Sequence, residues 1–124
     1  MSTETLVARK AMKKNLNAPD KTRRFSNGLL ELIDLDETTF ARVTLKPGWR
    51  WSQDIRPTAG TESCHVAHYQ YVLSGRLMVV MDDGSEMELH PGDVAVIPPG
   101  HDAWVVGDDE FIAIDFGGMK EYAK

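Results

Sequence analysis

Pro91-Gly92-Asp93-Val94-Ala95-Val96-Ile97-Pro98-Pro99-Gly100 sets two stiff turns around a strand of four residues. Proline fixes φ near −65° and the glycine that follows accepts a positive φ, so each Pro-Gly pair suits a type II turn. Pro47-Gly48 repeats the device upstream. Between Met81 and Glu86 the chain runs Asp82-Asp83-Gly84-Ser85, where Asp83-Gly84 suits a tight hairpin that pairs its flanking strands antiparallel. Punctuated in this way, the chain reads as short strands over Leu29–Leu35, Thr39–Leu45, Trp49–Ile55, His68–Leu73, Arg76–Met81, Glu86–Leu89, Val94–Ile97, Ala103–Val106 and Phe111–Phe116. Short strands at even spacing predict an all-β sandwich or barrel.

A chain of 124 residues has room for a single core and one domain. The lone Cys64 has no partner for an internal disulfide, and Met1-Ser2-Thr3-Glu4-Thr5-Leu6 lacks the apolar core of a signal peptide, so a reducing cytoplasm is expected. No apolar run approaches the roughly 20 residues of a membrane helix, and a soluble protein with no membrane partner is expected. The formal charge of −5 is unevenly spread: residues 1–24 carry seven bases and two acids, a local +5, which leaves −10 on the rest. An acidic body makes a poor nucleic-acid surface, and no nucleic-acid partner is expected.

Residues 1–27 read as a basic arm with a turn at Asn17-Ala18-Pro19-Asp20, and residues 28–124 as the globular domain. Leu77-Met78-Val79-Val80-Met81 breaks the alternation of a strand with one wet face, so both of its faces call for cover. Either it is central between two packed layers or a second subunit covers it. Met78 and Val80 on that second face predict a homodimer.

The Pro91–Gly100 stretch together with Tyr71-Val72-Leu73-Ser74-Gly75-Arg76-Leu77 resembles the two signature motifs of the cupin superfamily. The resemblance spans about residues 43–116 and implies a double-stranded β-helix, or jelly roll, with metals and small molecules bound at the mouth of the barrel. In the family's first motif, two His one residue apart precede a Glu that lies seven positions before a Gly. Anchored on Gly75, this alignment puts Glu62 and Cys64 at the His positions and His68 at the Glu position. The second motif matches at Gly92, Pro98 and Gly100, while Ala103 stands where a His is usual; a one-residue gap would put Asp102 there instead. Pro47-Gly48-Trp49-Arg50-Trp51-Ser52, Gly60–Cys64 and Pro98–Trp104 look like a subgroup of small bacterial cupins. The resemblance implies a site and lends no substrate.

Carboxylate, thiolate and imidazole all bind divalent ions, so Glu62, Cys64, His68 and His101 form a candidate set for Zn, Fe, Ni or Mn. Along a straight strand residues 64 and 68 would stand about 13 Å apart at roughly 3.3 Å per residue, so a shared ion needs a bend between them. Each candidate has a plainer reading. Cys64 also suits a small buried hydrophobe, His68 a hydrogen-bonded core histidine, Glu62 a solvated loop carboxylate, and His101 a turn residue bonded to Asp102. His65 and His90 read as structural or exposed.

His68 and Gln70 share one strand face, which the resemblance turns inward. Trp49, Trp51 and Trp104 serve either as packing or, with Gln70, as the wall of a pocket that would favour a small planar or apolar ligand, an aromatic one included. Nothing marks a Ser-His-Asp nucleophile or a phosphate-cradling glycine loop. Two functions from different classes stand at this point: a barrel that binds a small molecule with or beside a metal, and a metal-dependent enzyme of the oxygenase or isomerase type. Fold alone does not choose between them.

Overall fold

The computed structural model describes residues 10–116 and 119. Along them run β1 (Lys21–Phe25), β2 (Gly28–Leu35), β3 (Thr38–Leu45), the single helical turns α1 (Trp51–Asp54) and α2 (Arg56–Ala59), β4 (His68–Ser74), β5 (Arg76–Met81), β6 (Glu86–Leu89), β7 (Val94–Ile97), β8 (His101–Val106) and β9 (Phe111–Phe116). The strands form a six-stranded sheet in the order β1-β2-β3-β9-β4-β7 and a three-stranded sheet in the order β6-β5-β8. Every pairing is antiparallel. This is the all-β jelly roll expected.

The turn chemistry operates as its residues dictate. Gly48 and Gly92 take φ of 93° and 92°, and the turns close through Trp49 N–H to the Lys46 carbonyl and Asp93 N–H to the His90 carbonyl, both at 3.0 Å. Gly84, with φ of 89°, completes the hairpin that sets Val80 opposite Glu86. With strand ends pinned like this, alternation does the rest. Leu30 and Leu32, Val43 and Leu45, Val72, Leu77 and Val79, Phe111 and Ala113 all turn into one core between the sheets.

Three expectations change. Residues Trp49–Ile55 are not a strand: Arg50 makes one isolated bridge with Trp104, and α1 follows at once. The sheet begins at Lys21 rather than Gly28, because β1 pairs with β2 along its length; residues 1–9 of the expected arm lie outside those described. Strand β8 starts at His101, two residues earlier than read, which puts His101 into the pleat. Met78 and Val80 are half-buried, whereas Tyr69, Tyr71, Val94 and Val96 lie exposed along the paired strands β4 and β7. No helix among the described residues is long and apolar enough to cross a membrane.

Candidate functional site

The inner face of β4 carries the polar residues His68 and Gln70, and both are 96 % buried. On the adjacent strand β9 the inward positions are Phe111, Ala113 and Asp115, and register places Asp115 directly opposite Gln70. Asp115 Oδ2 accordingly takes a bond from His68 Nδ1 at 3.0 Å and one from Gln70 Nε2 at 3.2 Å. Across the barrel, β8 turns His101, Ala103 and Val105 inward. The His68 and His101 rings meet edge to face with centroids 5.2 Å apart.

Cys64 reaches this place because the chain does bend. A backbone bridge pins it to the start of β8: Cys64 N–H donates to the His101 carbonyl at 2.7 Å, and Gly100 N–H donates to the Cys64 carbonyl at 2.7 Å. Residues 65–67 then leave regular structure before β4 begins. Cys64 Sγ thereby comes within 3.8 Å of His68 Nε2. One ligand atom from each of Cys64, His68 and His101 lies within 4.8 Å of the other two, and this is the one such group of buried ligands among the described residues.

The tautomers of both imidazoles follow from their outer partners. His68 Nδ1 faces a carboxylate and His101 Nδ1 faces the Pro98 carbonyl at 2.9 Å, so each ring holds its proton on Nδ1 when neutral and keeps its lone pair on Nε2. Burial is the main reason that the His101 pKa lies below its ordinary 6.5, with His68 adding to the effect and the Pro98 bond opposing it. Burial likewise pushes the Cys64 thiol up to about 11 from an ordinary 9.0, reinforced by the charges of Asp102 and Asp115. In the metal-free protein near neutral pH, Cys64 is therefore a thiol and His101 an uncharged imidazole.

A narrow cavity opens beside the cluster, with about 30 Å³ accessible to the centre of a water molecule. His68, Gln70 and His101 line it together with Trp49 and Trp51. Trp49 is held there by its carbonyl, which accepts the Val105 N–H of β8 at 3.0 Å.

Not every expected residue is present. Glu62 is 93 % exposed with its carboxylate 3.8 Å from Arg56, because the chain beyond α2 carries it outward. Trp104 alternates with Ala103 and Val105, so it faces away from the cavity and stacks under the Arg50 guanidinium at 4.2 Å. Asp102 is turned from the barrel by the same alternation and accepts the Ser52 N–H of α1 at 3.0 Å. His65 is exposed, and His90 is exposed and bonded to Glu88 at 2.7 Å. Asp115 is the component that the sequence reading lacks. Its signal was an acid at an inward position of the apolar strand Phe111-Ile112-Ala113-Ile114-Asp115.

The geometry suits a metal. Around a tetrahedral Zn²⁺ with a thiolate at about 2.3 Å and an imidazole at about 2.0–2.1 Å, sulfur and nitrogen stand about 3.6 Å apart. The Cys64 to His68 separation of 3.8 Å is close to that value. Each histidine also has the outer hydrogen bond that metal-binding imidazoles require.

A family model described as Cupin matches residues 27–118. No curated protein matches the chain. Among solved structures, a protein of unknown function from Rhizobium leguminosarum superposes with a TM-score of 0.62 at 20 % identity, covering 86 % of this chain and 95 % of that one. A sugar phosphate isomerase of the cupin superfamily from Silicibacter pomeroyi gives 0.60 at 21 % identity, covering 85 % and 74 %. Bacillus subtilis oxalate decarboxylase, which has Mn(II) centres, gives 0.55 at 21 % identity, covering 83 % of this chain and 29 % of that one. Identities this low show a shared fold and carry no activity across. With the family model spanning most of its strands and cupins sharing its two-sheet architecture, the chain belongs to the cupin family.

Proposed function

We propose that this cupin binds a late divalent ion, Zn²⁺ foremost, through Cys64 Sγ and the Nε2 atoms of His68 and His101, and that a small molecule occupies the cavity beside it. The observation that carries this reading is the convergence of three buried ligand atoms within 4.8 Å, on side chains whose outer faces are already hydrogen-bonded. One thiolate and two imidazoles favour Zn²⁺, Fe²⁺ or Ni²⁺ over Mn²⁺, which is better suited by carboxylates and water.

The chain's own residues have definite parts. Asp115 orients His68, and the Pro98 carbonyl orients His101. Cys64 gives up its thiol proton on ligation, and the apolar walls keep bulk water out. Held by Cys64, His68 and His101, an ion would leave fewer than four protein ligands around it and would supply Lewis-acid polarisation beside the cavity. A set of three protein ligands next to a cavity also supports a second reading, a metal-dependent enzyme of oxygenase or isomerase type acting on a small substrate.

Metal analysis after zinc loading and desalting tests the binding reading. About one ion per chain is expected, removable by a chelator and absent from His68→Ala at unchanged circular dichroism. A folded protein that retains no zinc would overturn it.

A further inference from the structure

Two buried side-chain atoms among the described residues have no hydrogen-bond partner: Trp49 Nε1 and Gln70 Oε1. Both residues line the same cavity. An indole N–H can only donate and an amide oxygen can only accept, so beside the two imidazoles these residues bring one unmet donor and one unmet acceptor to the cavity. The orientation of the amide is settled by its other end. Gln70 Nε2 donates to Asp115 Oδ2 at 3.2 Å, and turning the amide over would set its oxygen against a carboxylate. Asp115 thus aligns His68 and Gln70 at once.

The remaining walls decide what charge the cavity tolerates. Val43, Leu45, Leu77 and Val79 are apolar, and neither Lys nor Arg lines the space. An anion would lose its hydration there with no cationic side chain to compensate it. The room corresponds to a molecule of only a few heavy atoms.

We propose that this cavity recognises a small uncharged molecule that offers an oxygen acceptor to Trp49 and an O–H or N–H donor to Gln70, as a hydroxy-carbonyl compound does from two separate oxygens. The proposal rests on the reading that a small molecule binds beside the metal site, and it makes Trp49 and Gln70 the residues that set specificity. Without an ion in the neighbouring site, a phosphorylated or carboxylated compound is disfavoured by the same walls.

Three matched probes test it on the full chain, both metal-free and zinc-loaded: hydroxyacetone, acetone with the acceptor alone, and glycolate as the charged counterpart. Affinities come from ligand-detected NMR titration. In the metal-free protein hydroxyacetone should bind about tenfold more tightly than acetone, the worth of one buried hydrogen bond, and more tightly than glycolate. Gln70→Leu should bring hydroxyacetone down to the level of acetone while leaving acetone unchanged, whereas Trp49→Phe should weaken both ketones. The ranking on the unaltered protein stands even if a variant misfolds. Equal binding of hydroxyacetone and acetone overturns the proposal, as does a preference for glycolate in the metal-free protein. Failure of all three probes to bind in either form means that water alone satisfies the pair, and also overturns it. Zinc content measured on the same samples separates the two readings: selective binding without metal retention sinks only the metal assignment, and metal retention without selectivity sinks only this one.

Discussion

Gly75 lies so near the backbone of Glu110 that a Cβ placed on it would stand 2.3 Å from the Glu110 carbonyl oxygen. Its φ of 76° is left-handed, so a side chain there would be strained even with space around it. The glycine turns the chain from β4 in one sheet to β5 in the other. Because the obstructing atoms belong to the backbone, they cannot rotate away. Gly75→Ala should cost about 2–5 kcal/mol from the combined conformational and packing terms, read as a lower urea midpoint. A midpoint equal to that of the parent would show that the turn relaxes.

Asp115 bonds His68 at Nδ1, the ring nitrogen turned away from the proposed ion. Asp115→Asn keeps the shape but removes the charge-assisted bond to His68, and zinc affinity should fall by about 10- to 100-fold in a competition titration against a chromogenic chelator. An unchanged affinity would mean that His68 is positioned by packing alone.

Binding should also be visible as proton release. The buried Cys64 thiol holds its proton to about 11, so an ion must displace it. Zinc binding near neutral pH should release about one proton from this group, measured by calorimetry in buffers of different ionisation heat. Cys64→Ser should abolish the release along with most of the affinity.

The metal-free protein should be most stable between two limbs. Below the ordinary His value of 6.5 an unfolded chain takes up protons that the buried His101 resists, so stability falls as pH drops through that range. Above 9.0 an unfolded chain ionises its cysteine while the folded one does not until about 11, so stability falls as pH rises across that window. Thermal melts across pH should show both limbs, and Cys64→Ala should flatten the alkaline one.

Glu62→Ala and His90→Ala should leave zinc stoichiometry unchanged, since Glu62 is 93 % exposed and His90 pairs with Glu88 on the surface. His101→Ala should lose the ion. Loss of zinc from the Glu62 variant would show that the loop after α2 folds inward on binding.

The strands were readable because their ends are written in residues with few conformational choices: Pro47-Gly48, Pro91-Gly92 and Asp83-Gly84 allow little but turns. Trp49 and Trp51 deceived because two buried aromatics one residue apart imitate a pleat, and a helix of four residues is too short to display a helical period. Strand β1 escaped notice because four of the five residues in Lys21-Thr22-Arg23-Arg24-Phe25 are polar, as suits the edge of a sheet. In the site, His68 and Cys64 were placed by the resemblance to the family's first motif, anchored on Gly75, and Gln70 by alternation from His68, while His101 fell short of the second motif's usual His position. Glu62 failed because loop direction beyond Gly60 depends on a tertiary bond, that of Ser63 Oγ to Asp82 at 3.0 Å, which no local pattern encodes.

His68 belongs to β4 of the six-stranded sheet and His101 to β8 of the three-stranded one. An ion held by both would rivet the two halves of the sandwich from the inside. Opening the barrel would then require releasing it, so the occupancy of one coordination site becomes a property of the whole molecule. A partner, a protease or a thermometer could read the presence of metal here simply as the rigidity of the shell.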